Sequence, residues 1–552
     1  MLPRHPYHVT PVTTLFARRY FAARCMQAGA FKQARTGSFY QTRAGAIPRK
    51  GNRLNNRPAA STKFWRWLAI SAMCFVSTIA ACGANADAMK PQFIEAACAI
   101  ATVPPAQIRR VRCGTVAVPR RYDQLNSGTY LLSVAVIRSA RQPARTDPIL
   151  LVPGGPGQAG IASIIPSFTA PDSPLSQERD IILFDPRATG TSQPRVCQGY
   201  SEAPFYLAPD LKTLDMVNLA RARMRECLAI ARQAGIEPEE FGTSLAVEDL
   251  ERIRSALGVS SWNVLTASYG TVVGAELAAR YPQYIRSLLL DSVALSRENS
   301  PFPMDTRFER ALDALLAECA GDPDCAGRYP QLNLEWSRAL TKLENQPLTI
   351  RMPATSGTSE DYVVFNRGDL EALVFFLMYS HASDVPAIIK AVNESETSIL
   401  ASVLAVVRQG GADVALLPLI AVTCRDDPPT AGIVGGLRSR TAGVSAGYHA
   451  LSPEGLCESW TSPGAAPVIP RNTTVPTLII QGELDPITAP VHGRIAAMLM
   501  GQNATFVELP FTGHAGGSAN PCSRQMVAAF LAAPTSRVDT SCVTRSIPLH
   551  FR

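Results

Sequence analysis

Four short, largely apolar runs constrain this chain most: Pro148–Val152, Asp180–Phe184, Trp262–Thr266 and Ile285–Leu290. Helical patterns stand between and beside them. Leu245–Leu257 places Val247, Leu250, Ile253 and Leu257 at helical spacing, with Gly258 as a stop, and Tyr269–Tyr281 is Ala-rich. Apolar strands without alternation, exchanged with helices, predict a mostly parallel sheet covered on both faces, an α/β fold. Thr115–Val118 and Tyr130–Ile137 add entry strands within residues 87–145.

The pattern changes after residue 299. Residues 300–470 are largely helical in flavour, as in Arg307–Leu316 and Leu370–Leu377, with polar and Gly-rich loops such as Ala354–Glu360. Strand character returns at Val475–Gln481 and Thr505–Leu509. Because sheet strands follow, 300–470 is expected to be a cap inserted into the sheet domain and not an independent second domain. The expected organisation is a leader over 1–86, core over 87–299, cap over 300–470 and the remaining core over 471–552. A chain of 552 residues, 46% hydrophobic and 18% charged, is ample for such a core and is not the composition of a disordered protein.

The net charge of +8 belongs to the leader. Residues 1–86 hold 13 Lys/Arg and no Asp or Glu, leaving 40 basic against 45 acidic residues, a net of −5, in the remainder. The body therefore offers no argument for nucleic acid. Lys63 and Arg66 precede the apolar stretch Trp67–Ala81, and Ala84-Asn85-Ala86 follows, which is the form of an export signal. A bilayer span needs ~20 residues, so a membrane anchor is the weaker reading. Ile79-Ala80-Ala81-Cys82 resembles a lipobox, so lipid attachment at Cys82 stays open; Arg18-Arg19-Tyr20-Phe21 lacks the apolar run a twin-arginine signal requires. About sixty residues before the basic region are unusual for a signal and leave a downstream start open.

Cysteine use agrees with export to a periplasmic or extracellular space. Ten of the 13 Cys lie outside the leader, and they fall into neighbouring pairs, 98–113, 197–227, 319–325, 424–457 and 522–542. Five short-loop disulfides are expected, while the spacing for a Cys/His metal cluster is missing.

The chemistry-bearing residues follow the predicted strands. Ala267-Ser268-Tyr269-Gly270 sits where a strand meets a helix and approaches the G-x-S-x-G pattern, with Thr266 in place of the first Gly. A serine at a helix start is often only a cap; the apolar strand before it favours a nucleophile. Asp485 follows a strand in Gly482-Glu483-Leu484-Asp485-Pro486, with Glu483 and Asp291 as rivals for the acid. His514, in Phe511-Thr512-Gly513-His514-Ala515-Gly516-Gly517, follows the last strand, and its flanking glycines suit a mobile base. The order Ser, Asp, His supports one assignment: Ser268 attacks, His514 accepts its proton, and Asp485 orients the imidazole. Backbone N–H groups of Tyr269 and of Gly155, within Pro153-Gly154-Gly155-Pro156-Gly157, are the candidate oxyanion donors.

These residues resemble the proline iminopeptidase and tripeptidyl aminopeptidase branch of the α/β hydrolases. The resemblance rests on Pro153–Gly157, Asp185-Pro186-Arg187-Ala188-Thr189-Gly190-Thr191-Ser192, Ser268-Tyr269-Gly270-Thr271, Gln481–Thr488 and Gly513-His514. It runs from about residue 90 to the end, is weakest over 300–470, and is nearest the secreted, tripeptidyl aminopeptidase-like members with a Cys-rich C-terminal segment. It implies an α/β-hydrolase fold and removal of residues from free peptide N-termini without a cofactor. Two positions depart: Pro153 stands where iminopeptidases carry His, which the tripeptidyl-like members tolerate, and Ala188 stands where Gly is commoner. The resemblance further implies that the cap holds the substrate's ammonium, and Asp426 and Asp427 are the candidates. A carboxylester hydrolase on the same fold remains the alternative, since an acyl-enzyme serves esters equally.

Overall fold

The computed structural model describes residues 90–98, 108–169, 173–198, 213–295, 304–352, 361–410, 414–427, 457, 460, 464–518, 520–543 and 549–551. The expected leader, Cys82 included, lies outside them.

Eleven strands appear among these residues: β1 (Phe93–Ala96), β2 (Val111–Pro119), β3 (Thr129–Ile137), β4 (Ile149–Val152), β5 (Ile181–Phe184), β6 (Trp262–Ala267), β7 (Ile285–Asp291), β8 (Leu348–Met352), β9 (Asp361–Phe365), β10 (Thr477–Gly482) and β11 (Ala504–Leu509). Nine of them form one sheet in the order β1-β2-β3-β5-β4-β6-β7-β10-β11. The pairs among β1, β2, β3 and β5 are antiparallel; every pair from β5 to β11 is parallel. Every residue of β4 and β5 is buried, as expected for strands covered on both faces.

Successive side chains on a strand point to opposite faces, and the two apolar layers divide accordingly. On one face Leu150, Ile182, Val264, Leu288 and Ile479 pack with Val247, Leu250 and Ile253 of one helix and Val273 and Leu277 of another. The first of these helices spans Thr243–Ala256 and ends before Gly258, whose φ of +68° suits glycine; the second spans Tyr269–Arg280. On the other face Leu151, Leu183, Leu265, Leu289 and Ile480 pack against Ile161 and Ile165 and against Met526, Val527 and Phe530.

Strands β7 and β10 are neighbours, with Leu288 opposite Thr477, although some 185 residues separate them in sequence. Many of the described residues between them share an apolar cluster that also takes in Leu484 and Phe551, while Leu416, Leu417 and Ile420 pack in another with Ala220 and Met224. In the first, Phe308, Leu312 and Leu315 of α1 (Met304–Gly321) meet Leu373, Phe375 and Met378 of α2 (Arg367–Ser380). The stretch is not wholly helical: β8 and β9 form an antiparallel hairpin. β8 alternates buried Leu348, Ile350 and Met352 with exposed Thr349 and Arg351, the two-residue period of a half-buried strand that the helical reading passed over.

The five cysteine pairs expected from sequence all form disulfides: Cys98–Cys113, Cys197–Cys227, Cys319–Cys325, Cys424–Cys457 and Cys522–Cys542. This supports folding in an oxidising, extracytoplasmic space. Among the described residues, no helix is long and apolar enough to cross a membrane.

The Asp185–Ser192 stretch is a brace beneath the site. Asp185 Oδ1 accepts N–H bonds from Gly160 and Ile161, its Oδ2 accepts one from Thr191, and Ser192 Oγ donates to Asp185 O. Arg187 is buried and forks onto both oxygens of Asp249 at 2.7 and 2.8 Å. Ala188 has φ +59°, which explains why glycine is commoner at that position.

Candidate active site

The turn at Ser268 begins with packing that only small residues permit. A Cβ on Gly270 would lie 2.7 Å from Val152 O, and one on Gly274 would lie 2.6 Å from Thr266 Cγ2. These two glycines let the helix cross close over the ends of β4 and β6. Thr266, the departure from the motif, is buried and donates its hydroxyl to Leu289 O at 2.7 Å, so its polar group is satisfied within the sheet. Ser268 then takes φ +57°, ψ −130°, a backbone conformation rare for a residue with a side chain. Ser268 N–H donates to Asp291 O at 3.0 Å, tying the turn to the neighbouring strand.

The glycine loop after β4 lies against this serine. A Cβ on Gly154 would be 3.2 Å from Ser268 Cβ. Gly154 N–H is held by Gln158 Oε1 at 3.1 Å, and Gly155 has φ +107°. Tyr269 is the first residue of its helix, where N–H groups have no acceptor within the helix. Its phenol meets Thr243 Oγ1 at 2.9 Å.

The acid and base loops leave the adjacent edge of the same sheet. Leu484 N–H donates to Thr512 O, and a Cβ on Gly482 would lie 2.0 Å from Gly513 O, so the two loops touch along their backbones. The structure brings Asp485 and His514 together: His514 Nδ1 and Asp485 Oδ2 are 2.8 Å apart. Asp485 is fully buried; its Oδ1 accepts N–H bonds from Ile487 and Thr488, and Thr488 Oγ1 donates to Oδ2 at 2.6 Å. Burial alone would raise the Asp485 pKa, but the charge of His514 and these donors hold it below the ordinary carboxylate value. Burial presses the His514 pKa down, and the Asp485 carboxylate outweighs it, leaving the pKa above that of a free imidazole.

The rival acids have other partners. Glu483 Oε2 accepts Phe511 N–H at 3.1 Å. Asp291 Oδ2 accepts Gly517 N–H at 2.7 Å, and burial pushes the Asp291 pKa up to about 7.

The glycine beside His514 serves close packing, in contrast to the mobility expected from sequence. A Cβ on Gly513 would stand 2.1 Å from Met378 O and 2.4 Å from Tyr379 O, both at the end of α2. His514 N–H donates to Tyr379 O at 3.0 Å, and the two rings are 4.9 Å apart. The His514 side chain is only 9% exposed.

Asp426 and Asp427 lie at the end of the helix Leu416–Asp426. Asp426 is buried; its Oδ2 accepts Thr243 N–H at 2.6 Å, and burial raises its pKa to about 6. Just before this helix, Ala415 N–H donates to Gly157 O at 3.0 Å, joining it to the glycine loop. Thr488, Tyr379 and Arg310 were not singled out from sequence. Thr488 closes the Gln481–Thr488 motif and could have been questioned; the other two reach the site only through tertiary contacts.

Residues 147–517 match the family described as the alpha/beta hydrolase fold. This chain belongs to the α/β-hydrolase fold family. The α/β hydrolase is 26% identical over 495 residues to the serine protease Hip1 of Mycobacterium tuberculosis, covering 83% of this chain and 93% of that one. It is 32% identical over 198 residues to a tripeptidyl aminopeptidase of Streptomyces coelicolor, covering 33% of this chain and 35% of that protein. It is also 28% identical over 233 residues to carboxylesterase B of M. tuberculosis, covering 40% and 44%. Thus the alignment with Hip1 is nearly end to end, whereas the other two span less than half of each relative.

Proposed function

We propose that this protein is an exported serine hydrolase that releases residues or short peptides from free peptide N-termini. One observation carries the hydrolytic part: the Asp485–His514 hydrogen bond stands at the same sheet edge as Ser268, held in a strained turn. His514 accepts the proton of Ser268 Oγ as the oxygen attacks the scissile carbonyl. Tyr269 and Gly155 N–H groups receive the negative oxygen of the tetrahedral intermediate. His514 then protonates the leaving amine, and an acyl-enzyme on Ser268 remains for water to hydrolyse by the same steps in reverse. Asp485 keeps the Nδ1 proton of His514 in place and stabilises the imidazolium.

The aminopeptidase reading draws support from the Hip1 and tripeptidyl aminopeptidase relatives. Asp426 and Asp427 are the candidate partners of the substrate ammonium; Asp426 lies beside Thr243, whose hydroxyl meets the Tyr269 phenol. Burying an unpaired ammonium is costly, so such an anchor discriminates strongly. The leader and the disulfides support export, and Cys82 is the candidate site of a lipid anchor. The carboxylesterase B relative favours a second reading, ester hydrolysis on the same residues.

The deciding measurement is kcat/KM for one peptide amide with a free and an acetylated N-terminus, beside a simple ester. The expected loss on acetylation is about a hundredfold, or ~2.7 kcal/mol. Equal values overturn the aminopeptidase reading and favour the esterase.

A further inference from the structure

The loop that carries Asp485 is held from outside the sheet by a single turn of α1. Arg307 Nη1 donates to Ile487 O at 2.5 Å. One turn further, Arg310 Nη1 donates to Glu483 O at 2.7 Å and Nη2 donates to Asp485 O at 3.0 Å. Between them on the helix, Phe308 is fully buried in the same apolar cluster as Leu484. The loop from 483 to 487 thus has its side chain at 484 seated in the inserted helices and three of its carbonyls capped by their arginines.

Main-chain carbonyls can be satisfied by neutral donors, so the use of a cation here has a consequence of its own. A guanidinium on the peptide oxygen of Asp485 also lies in the field of that residue's carboxylate. It therefore opposes the build-up of positive charge on the imidazole that the carboxylate holds. The other charged or titratable groups facing the pair are Asp291 from β7, Glu483 in the same loop, His492 from the helix Pro490–Met500, Glu508 from β11 and the Tyr379 phenol from α2. Among the described residues the arginines there are Arg307, Arg310 and, from the same helix as His492, Arg494, which pairs with Glu508; of the three, Arg310 is hydrogen-bonded to Asp485 itself.

We infer that Arg310 is a positioning residue for the acid: its forked guanidinium fixes the backbone of Glu483 and Asp485 and its charge restrains protonation of His514, so that docking of the inserted helices sets the working pH range of the site. The fork geometry is specific to arginine, whose planar donors reach two carbonyls at once, whereas a lysine ammonium is a single point.

The inference rests on the serine-hydrolase reading, and the test separates the two. An alkyl fluorophosphonate is attacked by Ser268 Oγ; the P–F bond breaks, fluoride leaves and His514 takes the proton. The second-order rate of phosphonylation at Ser268 is followed against pH, with thermal unfolding measured in parallel. Wild-type protein that is not labelled at Ser268 overturns the serine-hydrolase reading and this inference with it. Given labelling, Arg310→Gln is expected to slow the reaction about tenfold and to move its acid limb upward by roughly half a pH unit or more. The limb decides: an unmoved limb in folded Arg310→Gln overturns the inference. Should that variant not fold, Arg310→Lys decides instead. A lowered plateau rate with an unmoved limb supports the fork, and a wild-type plateau overturns it.

Discussion

Asp291 accepts the N–H of Ser268 on its main-chain oxygen at 3.0 Å, so the proposed nucleophile hangs from the residue that most resembles a second acid. Its carboxylate reaches the other way, to Gly517 N–H at 2.7 Å, three residues beyond His514. Ser292, the next residue, accepts Ala515 N–H at 2.8 Å. The end of β7 therefore connects the serine turn to the histidine loop, while the carboxylate that accepts from the imidazole Nδ1 is that of Asp485.

That division of labour predicts unequal substitutions. Asp485→Asn is expected to lower kcat/KM by about 10³–10⁴-fold, because the amide no longer stabilises the imidazolium and favours the wrong tautomer. Asp291→Asn keeps an oxygen for Gly517 and is expected to cost about tenfold or less. Steady-state kinetics on both purified variants checks this; an equal loss in folded Asp291→Asn would show that the acid is misassigned.

The pH dependence has opposite signs for activity and stability. His514 must be neutral to act as base, and its pKa is raised, so activity should fall on acidification through a limb above the ordinary imidazole value. A raised histidine pKa adds stability that is complete below the unfolded value and fades as pH rises through the folded one. The Asp291 carboxyl, at about 7, likewise adds stability that is present below its unfolded pKa and lost as pH rises through about 7. Asp291→Asn should therefore gain thermal stability relative to wild type as pH rises from about 4 to about 7 and keep a constant advantage above that, which melting curves across the range will test.

Gly513→Ala is expected to separate the inserted helices from the histidine loop. Its new methyl would meet Met378 O and Tyr379 O at 2.1 and 2.4 Å, both rigid backbone atoms. The expected stability loss is about 1–3 kcal/mol, with kcat/KM falling by roughly a hundredfold because about an ångström of misplacement is enough to disable a base. Denaturant melts and kinetics on the same preparation check both; an active, stable variant would mean that this contact does not hold the loop.

Ala188→Gly should stabilise the protein. Ala188 sits at φ +59°, where a Cβ is strained and glycine is not. The expected gain is about 0.5–1 kcal/mol, reduced by glycine's greater freedom in the unfolded chain. Urea unfolding with unchanged kinetics would confirm it, and a loss of stability would place the strain elsewhere.

Much of this architecture follows from local pattern. Ile181–Phe184 and Ile149–Val152 are apolar without alternation, and only a strand buried on both faces needs that. Ser268, Asp485 and His514 each stand just beyond a strand, so their chain order was legible, as was the meeting of Asp485 and His514 on loops that leave neighbouring strands. Cysteine spacing, with short loops throughout, sufficed to pair all ten described cysteines. Other features depend on groups far apart in sequence. The loop after the penultimate strand favours Asp485 over Asp291 and Glu483 in the sequence, but all three follow or end a strand, and the pairing itself depends on which carboxylate the folded loops turn toward the imidazole. The glycine at 513 reads as freedom in one dimension and proves to be a close contact with Met378 and Tyr379, some 135 residues earlier in the chain. Arg310 carries no motif at all. Its meaning comes from a helix laid against the acid loop, because long-range hydrogen bonds are made by three-dimensional proximity and leave no periodicity in the sequence.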